Sequence, residues 1–493
     1  MSEALDIRFF EAMEPDSPAL AISVEEATNC VPRKNGYQSM ASLLPYTDAM
    51  STRCIGAASY KDQNSDAHTY AGDKGSGAGT GNLYRLVDGN WTDSSRATGY
   101  SDAASKWEFS QSGQFVIATN FLDNPQYITM GGTAFADLTS AFKARTVAKV
   151  REFLMFGNLD DAVDGIKSSR IRWSAFGDIT DYNVSPATQS DYQDLETSGG
   201  QVLRVIGGEY ATVFCEHSIW RANYTGDATV FQIDEIDPGV GTIAAGSVVQ
   251  HGANIYFWSE DGFRVTNGGP SVRIGAEQVN RKIKEQLDDS YTDRITGSLD
   301  IGSGLIHWAY PANGNSEGTP NKTIIYNPTI DKFSFAEDTV NILFQAATPA
   351  TSLEGIDSLY SSLESVPGSL DDGVWSGGSF QLGAINSDNQ GCFYTGPARD
   401  AKIITGETQF FTGRQSFIGG IRPIVDGGSM LIRVGHRRNI TDGVSWTDYS
   451  ASEIDGLHNF RISGRYHRFE IQISGEFKEG IGLVPYGAAA GGR

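Results

Sequence analysis

The segment YFWSEDGFRVTNGG, Tyr256 to Gly269, sets two apolar runs on either side of a Glu-Asp-Gly turn and stops at a glycine pair. Successive side chains of a strand point to opposite faces, so Ile255 and Phe257 point one way and Tyr256 and Trp258 the other. All four are apolar, which requires a sheet covered on both faces. A short apolar run, a Gly/Asp/Asn turn and a second run recur in NLYRLVDGNW (Asn82 to Trp91), QFVIATN (Gln114 to Asn120), REFLMFGN (Arg151 to Asn158), YATVFCEHSIWRANY (Tyr210 to Tyr224) and GLIHWAYP (Gly304 to Pro311). With ANIYFWSEDGFRV starting at Ala253, successive starts lie 32, 37, 59, 43 and 51 residues apart. That irregular period brackets the roughly 40 to 50 residues of a four-stranded propeller blade.

A parallel α/β sheet also covers both faces, but it needs crossover helices, and here the connections are of hairpin length with almost no helical periodicity. The pattern therefore predicts an all-β chain whose residues 46–395 form a β-propeller of about six blades, sheet packed on sheet around an axis. One helix is expected at AEQVNRKIKEQLDD, residues 276–289, where Val279, Ile283 and Leu287 make a narrow apolar stripe. Residues 346–391, rich in Ser, Gly, Asp and Pro, read as a long loop excursion with few strands. From about Gly396 the strands alternate: Phe460, Ile462, Phe469, Ile471 and Ile473 on one face, Arg461, Arg468 and Glu470 on the other. A separate β-sandwich-like domain is expected at 396–493, and residues 1–45 read as an N-terminal extended segment.

Composition agrees with turn-rich β structure, since 57 of 493 residues are glycine against a usual level of about 7%. The formal charge of −22 is uneven: residues 399–493 hold 12 Lys and Arg against 10 Asp and Glu, leaving 26 against 50 for positions 1–398. A body that acidic repels nucleic acid, whose binding draws on basic contacts and released counterions. Stable DNA binding is not expected; transient passage of duplex DNA past an acidic wall is compatible with it. Cys30, Cys54, Cys215 and Cys392 lie far apart without metal spacing and read as buried, reduced thiols. Five N-x-S/T sequons begin at Asn90, Asn183, Asn223, Asn321 and Asn439, but the opening MSEALDIRFF has no basic start before an apolar stretch. No run approaches the length of a membrane span.

Catalytic signals are sparse. G-x-S-x-G and H-E-x-x-H are both absent, and the seven histidines (His68, His217, His251, His307, His436, His458, His467) are scattered. GDKGSGAGTGN, Gly72 to Asn82, fits no nucleotide-loop pattern and precedes a strand, so it reads as a hairpin loop. NGNSEGTPN, Asn313 to Asn321, offers oxygens without the EF-hand spacing. No cofactor, metal or catalytic residue is expected. A propeller glycosidase stays open as an alternative, because its two carboxylates come from different blades and leave no local motif; TDGVSW, Thr441 to Trp446, faintly resembles the turn-stabilising hairpin box of sialidase propellers. The clearest interaction signal is basic. Arg437, Arg438, Arg461, Arg465 and Arg468 are candidate contacts for the acidic body of a neighbouring subunit, since the guanidinium fork pairs well with carboxylates.

Several phrases carry a family resemblance: IWRANYTG (Ile219 to Gly226), GSVVQHGANIYFWSEDGFRV (Gly246 to Val265), RIGAEQVNRKI (Arg273 to Ile283), NKTIIYNPTIDKFSF (Asn321 to Phe335) and GNWTDSSRATGY (Gly89 to Tyr100). With the closing GGIRPIVDGGSMLIRVGHRR and FRISGRYHRFEIQISGEF, they resemble the tail hub or nozzle proteins of short-tailed bacteriophages, sometimes described as packaged-DNA stabilisation proteins. The likeness covers most of residues 30–485. It implies a propeller subunit of the virion tail, assembled in the host cytoplasm into a homo-hexameric ring below the portal and adaptor. Such a ring contacts the head-tail connector and tail fibre or spike proteins, extends the DNA channel, holds the genome and passes it during ejection. The resemblance carries no catalytic residue over, and a receptor-binding tail protein is a further alternative.

Overall fold

The computed structural model describes residues 3–490 except Ala228, Ser316 and 349–377. Six four-stranded antiparallel sheets, and one four-stranded antiparallel part of a larger sheet, follow one another along residues 44–393 and form a seven-bladed β-propeller. Blades one to six span 54–93, 108–137, 142–194, 202–238, 249–273 and 296–336; blade seven takes Val340–Ala347, Phe380–Asn386 and Gln390–Phe393 and completes itself with Leu44–Ala49. The first strands of the blades line the axis. Val340–Ala347 of blade seven packs against Cys54–Lys61 of blade one, which closes the ring.

The two-sided apolar pattern becomes inter-blade packing. In Asn254–Ser259, Ile255 and Phe257 join Phe214, Ile219 and Val248 between blades four and five. Tyr256 and Trp258, on the opposite face, join Phe263, Trp308 and Tyr326 between blades five and six. Each of the other five blade junctions likewise has its own buried cluster. At about 1.5 to 3 kcal/mol for each large apolar side chain buried, these interfaces are the main stabilising contribution.

The ring has one more blade than the sequence pattern suggests, and the reason is topological. The expected excursion 346–391 begins and ends in blade-seven strands; its middle, 349–377, lies outside the described residues. The fourth strand of that blade comes from the other end of the chain, pairing Leu44 with Phe393 and Ala49 with Gln390. The helix is also shorter than the stripe suggests, running Asn280–Gln286. Gly275 and Glu277 both take positive φ, 66° and 60°, so the chain turns there before the helix begins. Val279, Ile283 and Leu287 are buried, as their spacing requires.

Residues 3–39 contribute five paired strands rather than running merely extended. Glu3–Ala4, Arg8–Phe9 and Gly36–Ser39 pair with Gly480–Ala490, Cys30–Arg33 with Gly36–Ser39, and Val24–Thr28 with Ala401–Thr405. Two sheets result. One is built on Gln415–Val425 and Gly480–Ala490, the other on Ser429–Arg437 and Tyr466–Ser474. The second runs on into blade six through a parallel bridge between Thr28 and Phe335, giving one sheet of ten strands. Phe10, Val24, Ile418, Val434, Phe469 and Leu483 belong to the same buried cluster as Trp258, Trp308 and Phe333 of the propeller, so both parts share a core.

Trp107, between blades one and two, is 2% exposed and donates its Nε1 hydrogen to the Asp73 carbonyl at 3.3 Å. Gly72 makes room for it, because a Cβ there would lie 2.3 Å from the Trp107 Cδ1. Trp107→Ala is expected to cost about 3 to 5 kcal/mol and Gly72→Ala about 1 to 3 kcal/mol, both measured by guanidinium denaturation. An unchanged midpoint for Gly72→Ala would contradict this packing.

Candidate functional site in the central channel

Around the axis of the ring lie two neighbouring cavities, of about 620 and 640 Å³, with Lys106, Glu108 and Ala245 lining both. The 640 Å³ cavity is bounded by small and apolar stretches of the inner strands, among them Gly56–Tyr60, Thr296–Leu299 and Ile342–Gln345. The 620 Å³ cavity gathers more charged side chains. Arg145, Gln201, Glu216 and Asp293 join Lys106 and Glu108 around it.

Glu108 enters at the start of the blade-two inner strand, Glu108–Ser112, and is 4% exposed. It accepts hydrogen bonds from the Thr146 hydroxyl at 2.7 Å and the Val147 amide at 3.3 Å, and pairs with the Arg204 guanidinium at 2.8 Å. Thr146 in turn accepts from the Val205 amide at 3.0 Å. One carboxylate therefore ties the inner strands of blades two, three and four together, and this ion pair compensates its desolvation. Glu216 accepts from the Gln201 amide and side chain at 3.1 and 2.7 Å.

The cations around this network are less well matched. Among the described residues neither Lys106, Arg145 nor Arg53 makes an ion pair. Burial, reinforced by Arg204, pulls the Lys106 ammonium down to about 8 against the opposing pull of Glu108 and Asp293. Burial lowers Arg145 and takes Arg53 to about 10, the latter with help from Arg294. Arg145 lies 5.3 Å from the centre of the Phe121 ring, a cation–π contact that substitutes for a counter-ion.

The five arginines expected to form an interface separate into two groups. Arg437 forks onto Glu407, which is 4% exposed, and also donates to the Ile440 and Asp442 carbonyls. Arg468 pairs with Glu25 and lies 3.8 Å from Glu407. Both charges are used inside the chain. Arg438 and Arg461 are exposed and Arg465 half-buried, none with an ion pair among the described residues. Glu470, placed by alternation on the outer face, is buried instead, because Arg433 and Tyr449 close over it.

The remaining candidates have local explanations. All four cysteines are buried, and burial pushes Cys54, Cys215 and Cys392 up to about 12. His307 and His467 are drawn down to about 4 by burial; His467 Nε2 meets the Ser416 hydroxyl at 2.9 Å. The glycine-rich loop is organised by Thr80, whose hydroxyl accepts from the Ser76 and Gly77 amides. Among the described residues no group of three or more His, Cys, Asp or Glu is arranged to hold a metal ion. The channel cluster escaped sequence reading because its members lie far apart in the chain. Its only local trace is a charge inside an inner strand, as at Arg204 in VLRVI.

No family model matches the chain, and no curated protein does either. Similar solved structures include the β-propeller domain of Myceliophteria thermophila Cps50 (Swd1), with 8% identity over 72% of this chain and 98% of that one and a TM-score of 0.39. The computationally designed Ika8 protein has 9% identity over 72% and 98% at 0.37, and BamB from Moraxella catarrhalis 12% over 74% and 92% at 0.37. The chain is an all-β protein built on a β-propeller.

Removing Arg204 leaves Glu108 buried and unpaired, so Arg204→Met is expected to cost about 3 kcal/mol, with part recovered in the Arg204→Met/Glu108→Gln double variant. A denaturation cycle measures the coupling, and additive losses would refute it. Lys106 gives a separate pH signature. Its folded pKa lies below the unfolded one near 10.5, so over the window from about 8 to 10.5 the unfolded chain holds a proton the native state lacks. Stability from this group therefore rises with pH across that window, and Lys106→Met should flatten the rise in thermal melts.

Proposed function

We propose that this chain is a structural subunit of a bacteriophage tail, a hub or nozzle ring that continues the DNA channel below the portal and adaptor. The single observation that carries this reading is the fusion of propeller and two-sheet module through one ten-stranded sheet and one core. A component that retains pressurised DNA has to transmit force without hinging, and a continuous sheet with a shared core supplies that stiffness. The sequence resemblance to tail hub proteins supports the same assignment. The charge partition suits a closed ring, in which each subunit presents two different patches head to tail: an acidic body, and a near-neutral C-terminal portion where Arg438, Arg461 and Arg465 have no ion pair among the described residues. The acidic balance also suits the passage of DNA that must not adhere.

The glycosidase reading finds carboxylates in the channel, but Glu108 is held by Arg204 and by two hydrogen-bond donors. We propose a structural role.

Purified protein, alone or with its virion partners, is expected to form rings of six subunits in negative-stain images and mass photometry. Arg438→Glu combined with Arg461→Glu should shift those rings towards monomer. A strictly monomeric protein that cleaves glycans would overturn the assignment.

A further inference from the structure

Two strands at free sheet edges carry opposite charge. Phe231–Pro238 closes blade four on the outside and pairs only with Ser218–Tyr224. It has eight residues, against two to six in the outer strands of the other blades. A long free edge invites pairing, and charge is one way of controlling with what. Asp234 and Glu235 are exposed on this strand, and neither has an ion pair among the described residues. Between Arg221 and Arg264 the sequence has no lysine or arginine. Arg221, opposite Asp234 in the next strand, donates instead to Asn223 and Gly268 and lies over the Tyr210 ring. Val272, 65% exposed, stands beside this edge, because the neighbouring Ser271 amide donates to Asp237 at 2.8 Å.

The second edge is His458–Gly464, which pairs only with Gln415–Val425 in the two-sheet module. Arg461 is exposed there with no ion pair among the described residues. The Arg465 amide donates to the Arg437 carbonyl at 3.1 Å, which sets the exposed Arg438 beside the end of the strand. The acids just before the strand are turned elsewhere, Glu453 to Asn459 and Asp455 to Arg422. Ile454, between those two acids, is fully exposed. Each edge therefore sets an aliphatic side chain near unneutralised charge of one sign.

We propose that the outer strand of blade four in one copy of this chain docks on His458–Gly464 of the next copy. Asp234 and Glu235 meet Arg438 and Arg461, and Val272 and Ile454 lose water in the same contact. The contact rests on the ring assignment and names the two different patches that join head to tail. Both strands are bulged, at Ile236 and at Phe460–Arg461. A bulge interrupts the ladder and re-aims side chains, so the copies join through side chains rather than as one continued sheet. Guanidinium and carboxylate set partner and orientation at such a contact. Two like edges repel each other, which disfavours a two-fold dimer through either strand.

Full-length Arg438→Glu/Arg461→Glu and Asp234→Lys/Glu235→Lys variants are weighed by mass photometry beside the unmodified protein. Each variant alone is expected to associate about tenfold more weakly or worse. An equimolar mixture of the two should regain assembly, since every contact in an alternating ring then joins opposite charges. The mixture is its own control for folding, because a misfolded variant cannot restore the ring. In the unmodified protein, carbodiimide labelling of Asp234 and Glu235, read by peptide mass spectrometry, should fall in the assembled fraction. Rings that form with Asp234 and Glu235 still fully labelled, or folded variants whose mixture stays monomeric while the unmodified protein assembles, overturn this contact and leave the ring assignment standing. A protein monomeric at every concentration overturns both.

Discussion

Every blade of this propeller is dry on both faces, and that constraint organises the whole chain. A sheet with Ile255 and Phe257 on one side and Tyr256 and Trp258 on the other has no face it can leave in water. It needs a neighbour on each side, and so does that neighbour. A row of such sheets would always leave two apolar ends, and closing the row into a ring removes both. The buried cluster of Tyr46, Phe344, Ile385 and Phe393 with Cys54, Tyr84 and Trp91 is where this happens, between blades seven and one.

Closure explains why the two ends of the chain behave as they do. Leu44–Ala49 completes blade seven, so the ring is fastened by a strand more than 340 residues distant from its partners. The residues before it then have to leave the ring beside the residues that follow blade seven, and the two segments build their sheets together. Thr28 pairs with both Phe335 and Lys402, which makes one strand the seam between propeller and sandwich-like module. Rigidity between the two parts is a consequence of this interlocking rather than of a separate interface.

The axis imposes the opposite chemistry. Inner strands converge where there is no further sheet to cover them, and small residues and a few compensated charges stand there beside aromatic ones such as Tyr60, Phe109 and Phe344. Glu108 shows how a charge is tolerated there, drawing on Thr146, Val147 and Arg204 from two other blades. Lys106 and Arg145 have no ion pair among the described residues, and Arg145 lies over the Phe121 ring instead. On the outer surface the arginines show the same selection, with Arg437 and Arg468 neutralised by Glu407 and Glu25 and Arg438 and Arg461 left to solvent.

Local physics was enough to read the blades from the sequence. A strand apolar at consecutive positions must be covered twice, and the hairpin-length turns exclude crossover helices, so Tyr256 to Gly269 already implies sheet stacked on sheet. The helix stripe at Val279, Ile283 and Leu287 and the alternation around Phe469 and Ile471 were legible for the same reason, because side-chain direction follows backbone period. What the tertiary structure alone decided depends on residues far apart in sequence. The seventh blade, the sharing of residues 3–39 with the C-terminal sheets, the burial of Glu470 and the pairing of Glu108 with Arg204 all arise from non-local pairing, whose partners are chosen by ring closure and leave no periodic trace along the chain.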